Sequence, residues 1–74
     1  MQALSQAKPG ETYTIDWMFG VPDVLEFLHS RHVREGGTIR VIQQCRDSVL
    51  IGVQGVRLVL ENEVADRIKV GQYS

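Results

Sequence analysis

Apolar residues recur at every second position from Val49 to Leu60: Val49, Ile51 and Val53 before Gln54-Gly55, then Val56, Leu58 and Leu60 after it. A period of two belongs to a strand with one buried face, and a two-residue connection with Gly joins such strands only as a tight antiparallel hairpin. This pair constrains the chain more than any other feature. No helix fits between its arms. A lone hairpin is marginal in water, so its apolar face needs further strands or a helix against it.

The rest of the sequence supplies them. Pro9-Gly10 is a turn, and residues 12–19 are β-branched and aromatic. Tyr13, Ile15, Trp17 and Phe19 alternate there with Thr12, Thr14, Asp16 and Met18, and a bulge near Asp16 would exchange the faces of Trp17 and Met18. After Gly20-Val21-Pro22 the period changes. Val24, Leu25, Phe27 and Leu28 recur at helical spacing, with Asp23 suited to the positive N-terminal end and Arg31 to the last turn. A helix of about ten residues is unstable alone, so its stripe must pack on something. Gly36-Gly37 ends it. Residues 38–45 read as a second strand, Arg46-Asp47-Ser48 as a turn, residues 61–67 as a short helical turn, and Ile68-Lys69-Val70 as a last strand before a polar tail at 71–74.

A length of 74 residues with 43% apolar content and a net charge of -1 allows one domain, with a core at about residues 4–70. Surface scaling buries only about 60% of the unfolded surface at this size, which leaves little for a large cofactor cleft. One Cys excludes an internal disulfide or a zinc ribbon. No stretch reads as a signal sequence or a membrane span. The pattern predicts a mainly β fold: a small SH3-like five-stranded barrel with one capping α-helix, plugged by Leu25 and Leu28, and a short helical turn near the C-terminus. Closure removes the edges that an open sheet would expose.

These segments also resemble a family. Pro9-Gly10-Glu11-Thr12 leads into a strand carrying Ile15, and a short helix and Gly turn follow at residues 24–36. Val53-Gln54-Gly55-Val56-Arg57-Leu58-Val59-Leu60 is a Gly hairpin with a Leu-x-Leu strand, and residues 63–70 close with Glu-x-Ala-x-x-Ile-x-Val. In this order and spacing the chain resembles the FeoA family, ferrous iron transport protein A. Three positions depart from that pattern. Arg31-His32 stands where the family has Leu-Gly, residues 45–48 form a shortened loop, and Trp17 replaces a small residue. The resemblance implies a non-enzymatic, cytoplasmic accessory of bacterial ferrous iron uptake, with no cofactor. Its implied partner is the membrane GTP-driven ferrous iron transporter, FeoB. The same barrel ends the DtxR-type metal-dependent repressors, but no winged helix precedes it in these residues.

The candidate chemistry is thin. His29 and His32 share a helical face at i, i+3 and with Cys45 would offer two imidazoles and a thiolate, a weak metal set and the basis of a metal-sensing alternative. Catalysis lacks a nucleophile elbow, and the carboxylates are scattered. Nucleic-acid binding would use Arg31, Arg34, Arg40 and Arg46 with Trp17 and Phe19 as stacking platforms, but the basic excess that drives such binding is missing. Protein binding is the leading expectation. Its candidate contacts are Trp17, Met18, Phe19 and Phe27, with Arg57 and Val59 framing a second patch. Self-association is one way to cover such patches.

Overall fold

In a computed structural model, which describes residues 1–73, six strands carry the chain: β1 (Gln2–Ala3), β2 (Thr12–Met18), β3 (Thr38–Gln44), β4 (Ser48–Val53), β5 (Val56–Glu61) and β6 (Ile68–Gln72). Helix α1 (Pro22–Ser30) joins β2 to β3, α2 (Asn62–Ala65) joins β5 to β6, and a 3-10 turn, Leu4–Gln6, follows β1. The fold is the mainly β, SH3-like barrel that the pattern predicts, with one strand more than expected. The extra strand, β1, is too short to leave an alternation in the sequence. The last strand also runs two residues further than its apolar pattern, through Gly71 and Gln72. Of the expected polar tail, Ser74 lies outside the described residues.

The β4–β5 hairpin sets the register of one side. Val49 faces Leu60, Ile51 faces Leu58 and Val53 faces Val56 on the inner surface, while Leu50 faces Val59 and Gly52 faces Arg57 on the outer one. Gln54 and Gly55 hold φ at +52° and +78°, the paired left-handed conformation that lets a two-residue turn match the twist of its strands.

The strands order as β1-β6-β2-β3-β4-β5, every recorded neighbour antiparallel, so β1 and β5 are the two edges of one curled sheet. No ladder joins these edges among the described residues. The gap is spanned by the 3-10 turn and α2, where the Ser5 hydroxyl donates to the Asp66 carboxylate. The interior is filled by side chains from every strand except β1, with Leu4 and Ala65 fully buried beside the gap. Leu28 of α1 joins this core, with Val24 and Leu25 packed against it. Tyr13 is buried as well, and its phenolic oxygen accepts the Lys8 N–H at 2.9 Å.

Two bulges adjust which side chains face inward. In β2, Ile15 pairs with Val70 and Trp17 with Lys69, so Asp16 is the extra residue. The bulge turns Met18 into the core, at 7% exposure, and leaves Trp17 and Phe19 outside at 42% and 44%. Met18 is therefore withdrawn from the candidate contact surface: the same shift that exposes Trp17 buries its neighbour. In β3 the extra residue is Ile42, between the Val41–Ile51 and Gln43–Leu50 pairs. Past it, Gln44 reaches the end of the barrel and its Nε2 donates to the Leu4 and Ala7 carbonyls at 3.1 and 2.8 Å, tying the N-terminal turn to the sheet.

Helix α1 starts at Pro22 rather than Asp23. Proline suits the first turn because its missing N–H has no partner there anyway. At the other end the Val33 N–H reaches the Leu28 carbonyl at 2.9 Å and the His32 N–H reaches His29 at 3.1 Å. This is the Schellman arrangement, and it places His32 at φ +69°. The Arg31-His32 departure thus puts at this left-handed position a residue that is less comfortable there than Gly.

Candidate functional site

Three surface features account for the exposed candidate residues. The first is a groove of about 280 Å³ between α1 and the β5 edge. Phe27 and Val24 wall it on the helix side, Val59 and Leu60 on the strand side, with Val64 of α2 beside them. Phe27 is 45% exposed because it sits one step off the stripe formed by Val24, Leu25 and Leu28, and Val59 is 62% exposed because it belongs to the outer phase of β5. The groove is mainly apolar, and Asp23 and Glu61 line it as well. The Arg31 guanidinium stacks 5.1 Å from the Phe27 ring, which fixes that ring from the solvent side.

The second feature is the aromatic pair made by the Asp16 bulge. Trp17 and Phe19 stack with centroids 5.1 Å apart and planes at 29°. The Trp17 Nε1–H donates to the Met1 Sδ at 2.8 Å, and the Lys69 ammonium lies 6.0 Å from the Phe19 centroid. The third is a shallow depression of about 330 Å³ where Arg57 and Arg40 flank Gly52 on the outer face of the sheet, with Ile42 between them. Arg57 and Val59, read as one patch in the sequence, thus lead to different features.

The metal set does not come together. His29 Nε2 lies 3.4 Å from a Glu35 carboxylate oxygen, His32 sits at the helix exit, and Cys45 is exposed at the β3–β4 turn. Among the described residues no three His, Cys, Asp or Glu side chains are placed to hold an ion. The four arginines are also divided. Arg31 lies over Phe27, Arg34 donates to the His29 carbonyl, Arg40 sits on the outer sheet face, and Arg46 is in the β3–β4 turn. No helix among the described residues is long and apolar enough to cross a membrane.

The FeoA domain model matches residues 2–71. The chain belongs to the FeoA domain family. No curated protein matches it by sequence. Among solved structures, an iron uptake regulatory protein (FeoA) is 26% identical, with a TM-score of 0.87 over 96% of each chain. A FeoA protein from Chlorobium tepidum superposes with a TM-score of 0.90 at 20% identity, covering 99% of this FeoA-family chain and 71% of that one. ScaR with bound Cd2+ gives 0.87 at 23% identity, and the match spans 99% of this chain but 35% of ScaR. The likeness to ScaR is therefore one of fold, to a part of a longer chain.

Proposed function

We propose that this FeoA-family chain is a non-enzymatic accessory of ferrous iron transport that docks on the cytoplasmic side of the membrane GTP-driven ferrous iron transporter. The family match and the 26% identity to an iron uptake regulatory protein over 96% of both chains support the transport role. The observation that carries the docking mode is the groove between α1 and β5, in which Phe27 and Val59 stand half out of the core, Phe27 flanked by Arg31. Such a groove takes the apolar face of a peptide, and Asp23 and Glu61 at its walls select a partner segment whose apolar residues are flanked by Lys or Arg.

Binding of the purified transporter's cytoplasmic part tests this. Phe27→Glu and Val59→Asp each lose about tenfold or more in affinity, as expected when a charge is buried at a central apolar contact. Thermal midpoints stay near that of the parent, because both side chains are already exposed. Full-strength binding by both variants overturns the reading.

A second reading, binding of single-stranded nucleic acid, rests on the Trp17–Phe19 stack with Lys69 beside it. It requires a salt-dependent shift of labelled oligonucleotides that Trp17→Ala removes. No shift at low salt ends it.

A further inference from the structure

We propose that the chain forms a two-fold dimer by pairing the β5 edge of one copy with the β5 edge of a second. This goes beyond transporter docking and does not rest on it. Sheet edges in stable monomers are blunted by short length, Lys, Pro or bulges. The β1 edge is blunted by length, at two residues. The β5 edge is not short and has no Lys, Pro or bulge, and the two charges it carries, Arg57 and Glu61, are of opposite sign. It runs six residues and keeps an unbroken register with β4 from Glu61 to Val56. Helix α1 faces its Val59–Glu61 end across the groove of about 280 Å³, which separates the helix from the strand.

The hairpin decides which backbone groups are free. A two-residue turn makes Val53–Val56 a hydrogen-bonded pair, so Leu58 and Leu60 also bond toward β4. The N–H groups of Arg57, Val59 and Glu61 then point away from it, toward the open edge. A second β5 can only join with these residues opposite one another, which leaves few registers. Parallel pairing, or antiparallel pairing centred on Arg57 or on Glu61, sets like charges side by side, and centring on Leu58 or Leu60 sets Arg57 or Glu61 opposite Val59 with no counter-charge. Centring on Val59 does the opposite: Arg57 faces Glu61 of the second copy, Glu61 faces its Arg57, and the two Val59 side chains meet on the axis. Leu58 and Leu60 pair on the inner surface. Neither Arg57 nor Glu61 has an ion-pair partner among the described residues of its own chain, so both are available. Opposite charges directly across an antiparallel pair are favourable and like charges unfavourable, so charge selects this register. The interface is self-complementary, as a two-fold requires. It also covers Val59, so the dimer and the occupied groove exclude each other.

Sedimentation velocity on the full chain, from about 10 μM to about 1 mM, tests the proposal. The expected result is a concentration-dependent dimer, with the Val59 amide gaining protection from hydrogen exchange as the dimer forms. Arg57→Glu alone, or Glu61→Arg alone, puts like charges opposite twice and weakens the dimer about tenfold. The two reversals combined restore it to within about threefold. A monomer throughout the range overturns the proposal. So does a dimer that ignores the single reversals, or single reversals that the double variant fails to rescue. Far-UV circular dichroism spectra that match the parent's confirm that the variants are folded.

Discussion

His32 sits in a left-handed conformation because the helix must turn back sharply there to bring Val33 into the core. A side chain with a Cβ is strained in this region by about 1–2 kcal/mol, while Gly costs an extra 0.5–1 kcal/mol or so in lost chain freedom. Relief exceeds cost, so His32→Gly raises stability by roughly 0.5–1 kcal/mol, readable as a higher urea midpoint with unchanged slope. This position was legible in the sequence, because Arg31-His32 interrupts a recognisable helix exit. Gln44 was not. Its partners are the carbonyls of Leu4 and Ala7, groups that every residue carries, and they lie 40 and 37 positions away. The half-exposed Phe27 could be placed on α1 from helical spacing. That it faces Val59 across a groove depends on how far α1 stands from β5, which no local pattern encodes.

Among the elements, β2 shows how much an alternation can decide. Tyr13 and Ile15 set one phase and Met18 belongs to the other, so the run contains a conflict that a single inserted residue resolves. That conflict is visible in the sequence. The bulge at Ile42 is not, since Ile42-Gln43-Gln44 holds no apolar phase to break. Asp16 being the inserted residue has a direct outcome. Deleting it leaves Ile15 inward, Trp17 outward and Met18 inward, now in a regular ladder. The deletion variant therefore folds, and its tryptophan emission stays at the long wavelength of a solvated indole. A blue-shifted emission would mean that the face of Trp17 had changed, and would contradict the register described above. The edge strands were read less well. Gln2-Ala3 is too brief to show a period, and its place beside β6 is set by Leu4 behind it rather than by its own residues.

At the scale of the molecule, closure depends on side chains where hydrogen bonds stop. The curled sheet has an unlaced seam between β1 and β5, and Leu4 fills the inside of it with no exposed surface. Leu4→Ala removes that filling and is expected to cost about 2–5 kcal/mol. A chain of this length has only roughly 4–11 kcal/mol in total. Thermal unfolding of the variant then begins many degrees lower, and the amides of β1 exchange well before those of β4. The same arrangement sets Gln2 opposite Val70, so the first and last strands emerge together from one rim, at the other end of the strand order from β5. A unit whose two ends leave side by side can be spliced onto another polypeptide by either end, or by both as an insertion, without a tether crossing the groove. A handful of linking residues between those ends would equally yield a circularly permuted version, opened in the Arg46-Asp47 turn, with its β5 edge intact.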